Sequence, residues 1–187
     1  MKQMWSPWRS VHINRVNDNQ NEGQQDHKHE SVGTDNLPPG TPSVFSRLVK
    51  QNKDSENLIL WRGTSVFVIM NLYPYNNGHL LIVPYREVAQ YEDLTRVEMH
   101  EMAQTINLCI RSVKEVLKPD GINIGMNLGK AAGAGIPDHL HMHIVPRWSG
   151  DTNFMPSIAE IKVIPESLND TYNKLRHVME GVDLSNL

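Results

Sequence analysis

The residues best suited to chemistry are His139, His141 and His143, at every second position of the run His139-Leu140-His141-Met142-His143-Ile144-Val145-Pro146-Arg147-Trp148. Successive side chains of a strand point to opposite faces. The run therefore predicts Leu140, Met142 and Ile144 toward the core and three imidazoles in a row on the other face. Two kinds of chemistry compete for such a row. Zinc takes imidazole nitrogens at about 2.0–2.1 Å in a tetrahedral set. On a strand rising about 3.3 Å per residue, His139 and His143 stand about 13 Å apart at the backbone, so two neighbours can share one metal but not comfortably all three. The other chemistry is nucleophilic catalysis. A neutral imidazole attacks well when its second nitrogen keeps a donor bond that fixes the tautomer. The middle histidine would attack, and a flanking one would donate to phosphate oxygens. Nucleophilic attack on a phosphate is the reading we favour over a metal site and over a merely solvated strand face.

What precedes the row supports an anion. Residues 121–128 read as a second strand, followed by the small-residue loop 129–135. Gly129, Gly133 and Gly135 allow close approach of backbone to a ligand, and the loop can present N–H groups to an anion.

The spacing of His139, His141 and His143 resembles the H-x-H-x-H motif of the histidine triad (HIT) superfamily of nucleotidyl transferases and hydrolases. Three outer segments, Trp5–Arg9, Asn71–Pro84 and Gly150–Pro156, resemble one branch of it, the bacterial diadenosine tetraphosphate phosphorylases, also called ATP adenylyltransferases. The resemblance covers most of residues 58–165 and the first ten. It implies that His141 is the nucleophile and forms a nucleotidyl-histidine intermediate. It implies further that His143 and Asn127, with the amides around Gly133 and Gly135, hold phosphate oxygens, and that His139 and His79 keep the imidazoles in register. Asn71 matches a residue near the nucleotide ribose. Trp148, directly after the strand, reads either as an aromatic on the rim or as a substrate or dimer contact. The hydrolase branches carry a glutamine close to where Gly135 falls. This chain has no amide side chain in that loop, which favours phosphate over water as acceptor, with Lys130 or Arg147 as candidate cations beside it. Many HIT proteins have Cys-x-x-Cys where this chain has Ser43-Val44-Phe45-Ser46, and neutral hydroxyls are poor zinc ligands. No structural zinc is expected there, and no metal ligand is assigned elsewhere. The covalent step requires no cofactor, although a divalent cation can accompany the nucleotide.

Several elements must position these residues. Residues 58–61 and 65–70 read as a hairpin about the turn Arg62-Gly63-Thr64, and His79 opens a strand over Leu80–Val83. Residues 95–117 form the clearest helix. Thr95-Arg96-Val97-Glu98 can make a capping box, and Leu94, Val97, Met102, Ile106, Cys109, Val113, Val116 and Leu117 recur at helical spacing. Cys109 on that stripe reads as a buried, inert thiol. Lys118-Pro119-Asp120-Gly121 stops the helix. Ile161–Ile164 looks like a short strand and 166–179 like a terminal helix, with Leu168, Tyr172, Leu175 and Val178 on one face.

The chain has 187 residues, enough for one domain with a substantial core. Its net charge is −3 with signs interspersed, so nothing suggests a nucleic-acid polymer as partner. One cysteine excludes an internal disulfide framework. No apolar run approaches the roughly 20 residues of a membrane span, and the N-terminus lacks a signal-like stretch, so a cytoplasmic location is expected. Residues 1–16 read as an arm carrying Trp5, Trp8 and Arg9. Residues 17–43, poor in apolar side chains, read as a disordered polar insert, and Asp26-His27-Lys28-His29-Glu30 within it reads as a solvated tract. Residues 44–187 form the HIT-like catalytic domain.

The expected fold is α+β. An antiparallel sheet of about five strands, the triad strand central, is backed by the 95–117 helix, with a C-terminal helix appended. The resemblance implies a homodimer that cleaves dinucleoside polyphosphates with inorganic phosphate as second substrate. A water-using hydrolase or phosphoramidase, and a nucleotide-binding regulator without turnover, are the alternatives.

Overall fold

The computed structural model describes residues 40–151 and 166–184, all within one compact unit, Val32–Leu187. The arm over 1–16, the insert up to residue 39, the strand expected at Ile161–Ile164 and most of the Gly150–Pro156 segment lie outside the described residues.

Five strands form one antiparallel sheet: β1 (Ile59–Arg62), β2 (Val66–Met70), β3 (Leu80–Pro84), β4 (Gly121–Met126) and β5 (Met142–Arg147), in the order β1-β2-β3-β5-β4. The triad strand β5 is therefore interior but not central, because β4 forms the edge beside it. The regular strand also begins only at Met142. His139 and His141 lie in the extended lead-in, where Leu140 donates its N–H to Val88 instead of to a neighbouring strand.

Helix α1 (Val44–Lys50) precedes the sheet, α2 (Arg96–Leu117) joins β3 to β4, and α3 (Leu168–Met179) closes the described chain. Thr95 and Glu98 form the expected capping box, satisfying donors at the α2 N-terminus from both sides. Lys118 ends the helix in the left-handed conformation. The apolar stripe of α2 is shifted from the sequence reading. Val97 is 66% exposed, while Thr105, Leu108 and Ser112 join Met102, Cys109 and Val113 in the interior. At the start of the helix the buried face is carried by Leu94 and Glu98, which turns Val97 to solvent, so helical spacing alone misassigns it. On α3, Met179 rather than Val178 is buried.

The two faces of the sheet carry separate cores. On one, α2 and α3 cover Leu60, Val66, Val68, Leu80, Ile82, Leu140 and Ile144. On the other, Phe45 and Val49 of α1 cover Ile59, Phe67, Ile69, Leu81 and Val83. Polar clamps fix the frame. Both carboxylate oxygens of Glu101 on α2 accept the N–H groups of Thr64 and Ser65 at 2.6 Å, tying down the β1–β2 turn. Gly78, at φ +69°, turns the chain into His79, and a Cβ there would run into Leu117 of α2.

Candidate functional site

Leu81 pairs with His143, and Gly125 of β4 flanks His143 on its other side. This register places the imidazoles on the α1 face, and all are withdrawn from solvent: His139 is 0%, His141 7% and His143 9% exposed, with His79 fully buried beside them. Phe45 of α1 meets the rings of His139 and His141 edge-on, at centroid distances of 5.5 and 5.2 Å. The row is thus an internal polar seam, not the solvated face of a strand.

The hydrogen bonds fix every tautomer, because a carbonyl can only accept and a backbone N–H can only donate. His141 donates Nδ1–H to the carbonyl of its neighbour in the row, His139, at 2.9 Å. Its Nε2 is left as a lone pair. His139 donates Nε2–H to the Pro84 carbonyl at 2.8 Å, so its Nδ1 accepts the hydroxyl of Ser43 at 2.5 Å. His79 accepts the Tyr75 N–H on Nδ1 at 3.0 Å and donates Nε2–H to His143 Nδ1 at 2.9 Å. His143 must then carry its proton on Nε2, an atom that is buried and has no hydrogen-bond partner among the described residues. One imidazole offers an electron pair; the next, at a centroid distance of 4.8 Å, offers a proton donor.

Burial also keeps the row uncharged. Desolvation pushes the imidazoles of His139 and His141 below the usual histidine value, and desolvation followed by the proximity of His141 pushes His143 down to about 4. At neutral pH His141 is a free base, as nucleophilic attack requires.

Ser43 has three contacts that the sequence did not reveal. Its hydroxyl accepts the Ser46 N–H as the N-cap of α1 and bonds His139, and its own N–H donates to Glu87 at 3.1 Å. Burial alone would raise the Glu87 carboxyl, but bonds from the Ser46 side chain and the Ser43 N–H hold it below its ordinary value. The position was singled out only for lacking thiols; that its hydroxyl seats the first histidine follows from the approach of α1.

A cleft of about 490 Å³ continues the seam over the β4–β5 half of this face, lined by Tyr75, Asn76, Asn123, Gly125, Asn127, His143, Val145, Arg147 and Asp151 among the described residues. Of the residues expected at the site, His139, His141, His143 and His79 come together. Asn127 reaches the cleft and ties the glycine loop by donating Nδ2–H to the Gly133 carbonyl at 3.3 Å. Gly133 closes a short 3-10 turn in the left-handed region, at φ +92°, and Gly135 is exposed with open space around it. Asn71 lies beside the histidine cluster. Its amide stands 3.3 Å from His79 Nδ1 and its oxygen accepts the Tyr73 N–H, so here it supports His79. Trp148 is half-buried and does not line the cleft. Of the candidate cations, Lys130 opens the exposed 3-10 turn, and Arg147, four residues beyond His143, lines the same cleft as His143 and is gripped by both oxygens of Asp151 at 2.6 Å. Among the described residues no cluster of three or more His, Cys, Asp or Glu side chains could hold a metal ion. Cys109 is fully buried, and burial pushes its thiol far up.

Taken chemically, fold and site define a protein with one buried, neutral imidazole fixed for attack and a second poised to donate. The HIT domain family model matches residues 52–150. The chain is 39% identical over 171 residues to the AP-4-A phosphorylase of Mycobacterium tuberculosis (strain ATCC 25618 / H37Rv), covering 91% of this chain and 80% of that one. It is 37% identical over 108 residues to the Bis(5'-adenosyl)-triphosphatase of Saccharomyces cerevisiae (strain ATCC 204508 / S288c), covering 57% of this chain and 50% of that one. A zinc-bound histidine triad family protein from Mycobacterium smegmatis shares the fold with a TM-score of 0.59 and 25% identity, over 73% of this chain and 91% of that one. The chain belongs to the HIT domain family.

Proposed function

We propose that this protein is a nucleotidyltransferase that cleaves dinucleoside polyphosphates, diadenosine tetraphosphate among them, and passes the nucleotidyl group to inorganic phosphate. The observation that carries the proposal is the His141 tautomer: Nδ1–H is committed to the His139 carbonyl, so Nε2 carries the lone pair. The 39% identity to a phosphorylase over nearly the whole chain supports the substrate class.

His141 Nε2 attacks the α-phosphorus. The P–N bond forms as the bond to the bridging oxygen breaks, and ATP departs with that electron pair. The attacking ring keeps Nδ1–H and becomes cationic, and the His139 carbonyl stabilises it. Nε2–H of His143 donates to the developing negative charge on the oxygen, where a fixed donor in a dry site has most effect. A phosphate oxygen then attacks the same phosphorus, the pair returns to Nε2, and ADP leaves. Asn127 and the amides of the 129–135 loop hold the non-bridging oxygens.

The acceptor phosphate is held by N–H donors of the small-residue loop together with Lys130 or Arg147, the latter a wall of the cleft and ion-paired to Asp151. No cofactor takes part in the covalent step, and a divalent cation accompanies the nucleotide. Ser43 and Ser46 serve as hydrogen-bonding hydroxyls, with no zinc between them. Among the described residues strand β4 is the edge of the sheet and carries exposed Ile124; sheet edges are templates for another strand, which supports a homodimer. An arm over 1–16, a polar insert that follows it and ends before Ser43, which is buried as the N-cap of α1, and a cytoplasmic location complete the proposal.

The test is product analysis with diadenosine tetraphosphate. Phosphorolysis gives ATP and ADP, whereas attack by water at the α-phosphorus gives ATP and AMP. Millimolar phosphate should raise the rate and shift the second product to ADP. Dominant AMP, with phosphate acting only as an inhibitor, would establish the hydrolase reading that the yeast relative suggests.

A further inference from the structure

The catalytic seam leaves one prominent ring unexplained. Tyr75, in the β2–β3 connection, lies 16° from parallel to His143 at a centroid distance of 5.8 Å, yet it is 54% exposed. It forms one wall of the cleft over β4 and β5. Gly125, with open space where a Cβ would be, and Val145 make a low apolar floor. Asn76 and the Arg147–Asp151 pair provide hydrogen-bonding groups at the far end, and Asn76 itself donates to Asp151 at 2.8 Å. An aromatic wall, an apolar floor and a polar end, at a volume within the usual range for small-molecule sites, suit a nucleoside rather than a bare phosphate.

The direction of attack says which nucleoside. In-line displacement puts the leaving oxygen on the side of phosphorus away from the nucleophile. His143 borders the cleft, whereas His141 and His139 do not, so the cleft lies beyond the donor, where the leaving group goes. We infer that this cleft is a subsite for the leaving nucleoside of the dinucleotide, whose base stacks on Tyr75. The inference rests on the proposed dinucleotide chemistry. It makes Tyr75 a residue that selects dinucleotides over substrates with small leaving groups.

The experiment compares wild type, Tyr75→Ala and Tyr75→Phe on two substrates: diadenosine tetraphosphate, and adenosine 5'-phosphoramidate, whose leaving group is ammonia. Loss of a base–aromatic stack costs about tenfold in affinity. Tyr75→Ala should raise KM for the dinucleotide about tenfold and leave the phosphoramidate within about twofold, and Tyr75→Phe should restore the dinucleotide. Equal losses on both substrates would mean that Tyr75 acts only through His143, and no loss on either would mean that no base stacks there; each overturns the inference. Titrating the same ligands into His141→Ala, with and without Tyr75→Ala, reads the subsite without turnover. Failure of the dinucleotide to bind at all refutes the functional reading and the subsite with it. Binding that is unaffected by Tyr75→Ala refutes the subsite alone.

Discussion

Removing the Ser43 hydroxyl should damage the site from a distance. The group has two duties, capping α1 and donating to the buried Nδ1 of His139. Replacing a serine cap by alanine costs about 0.5–2 kcal/mol, but by glycine only a few tenths. Leaving a buried acceptor without its donor costs about 1–3 kcal/mol. Ser43→Gly therefore isolates the histidine bond at about 1–3 kcal/mol, while Ser43→Ala should lose about 1.5–5 kcal/mol in all. At about 2–4 °C per kcal/mol for a protein of this size, the glycine variant should melt about 2–12 °C lower. Catalysis should fall too, because the backbone of His139 holds the nucleophile: about tenfold or more in kcat, with KM little changed and Ser43→Thr restoring most of the rate. Calorimetry and steady-state kinetics on the three variants read both effects, and nitrogen-15 NMR reads whether His139 keeps its proton on Nε2. If Ser43→Gly melts within 1 °C of wild type, turns over normally and keeps the His139 tautomer, the bond has no role and the argument fails.

The remaining predictions concern pH. The folded-state pKa of His143 is depressed from 6.5 to about 4, so between those values the unfolded chain takes up a proton that the folded one refuses. That contribution to stability is present above 6.5, declines as pH falls and is gone below about 4; urea midpoints from pH 7.5 to 4 should fall accordingly, and a flat profile would contradict it. Glu98, held at about 2 by the guanidinium of Arg86 and by Thr95, acts in the same sense at lower pH. Its contribution is present above 4.5 and lost as pH falls toward 2, and Glu98→Gln should remove that second limb. Because His141 is also depressed, the acid limb of kcat/KM should lie below the ordinary histidine value near 6.5.

Much of the frame was legible because it rests on local rules. Thr95 and Glu98 announce the start of α2, Lys118 to Gly121 its end, and the alternation after His139 the faces of β5. What was missed depends on tertiary approach. Helix α1 is seven residues long, too short to declare itself by periodicity, and only Phe45 and Val49, four apart, hint at a buried face. Without α1 there was no reason to place Ser43 on His139, nor to bury the histidine row. Nor can sequence show that Asp151 closes on Arg147. The approach of the Asn71 amide to His79 is likewise a product of the tertiary fold.

The central claim is covalent attack by His141, and trapping the intermediate tests it most directly. Wild-type enzyme mixed with diadenosine tetraphosphate in the absence of phosphate, then quenched under conditions that preserve phosphoramidate bonds, should show one adenylyl group per chain by intact-mass spectrometry. Fragmentation should place it on His141, and adding phosphate before the quench should discharge it as ADP. His141→Ala should show no adduct and lose a thousandfold or more in rate, about 4 kcal/mol of barrier. An adduct on another residue, or a His141→Ala enzyme turning over near the wild-type rate, would contradict the account.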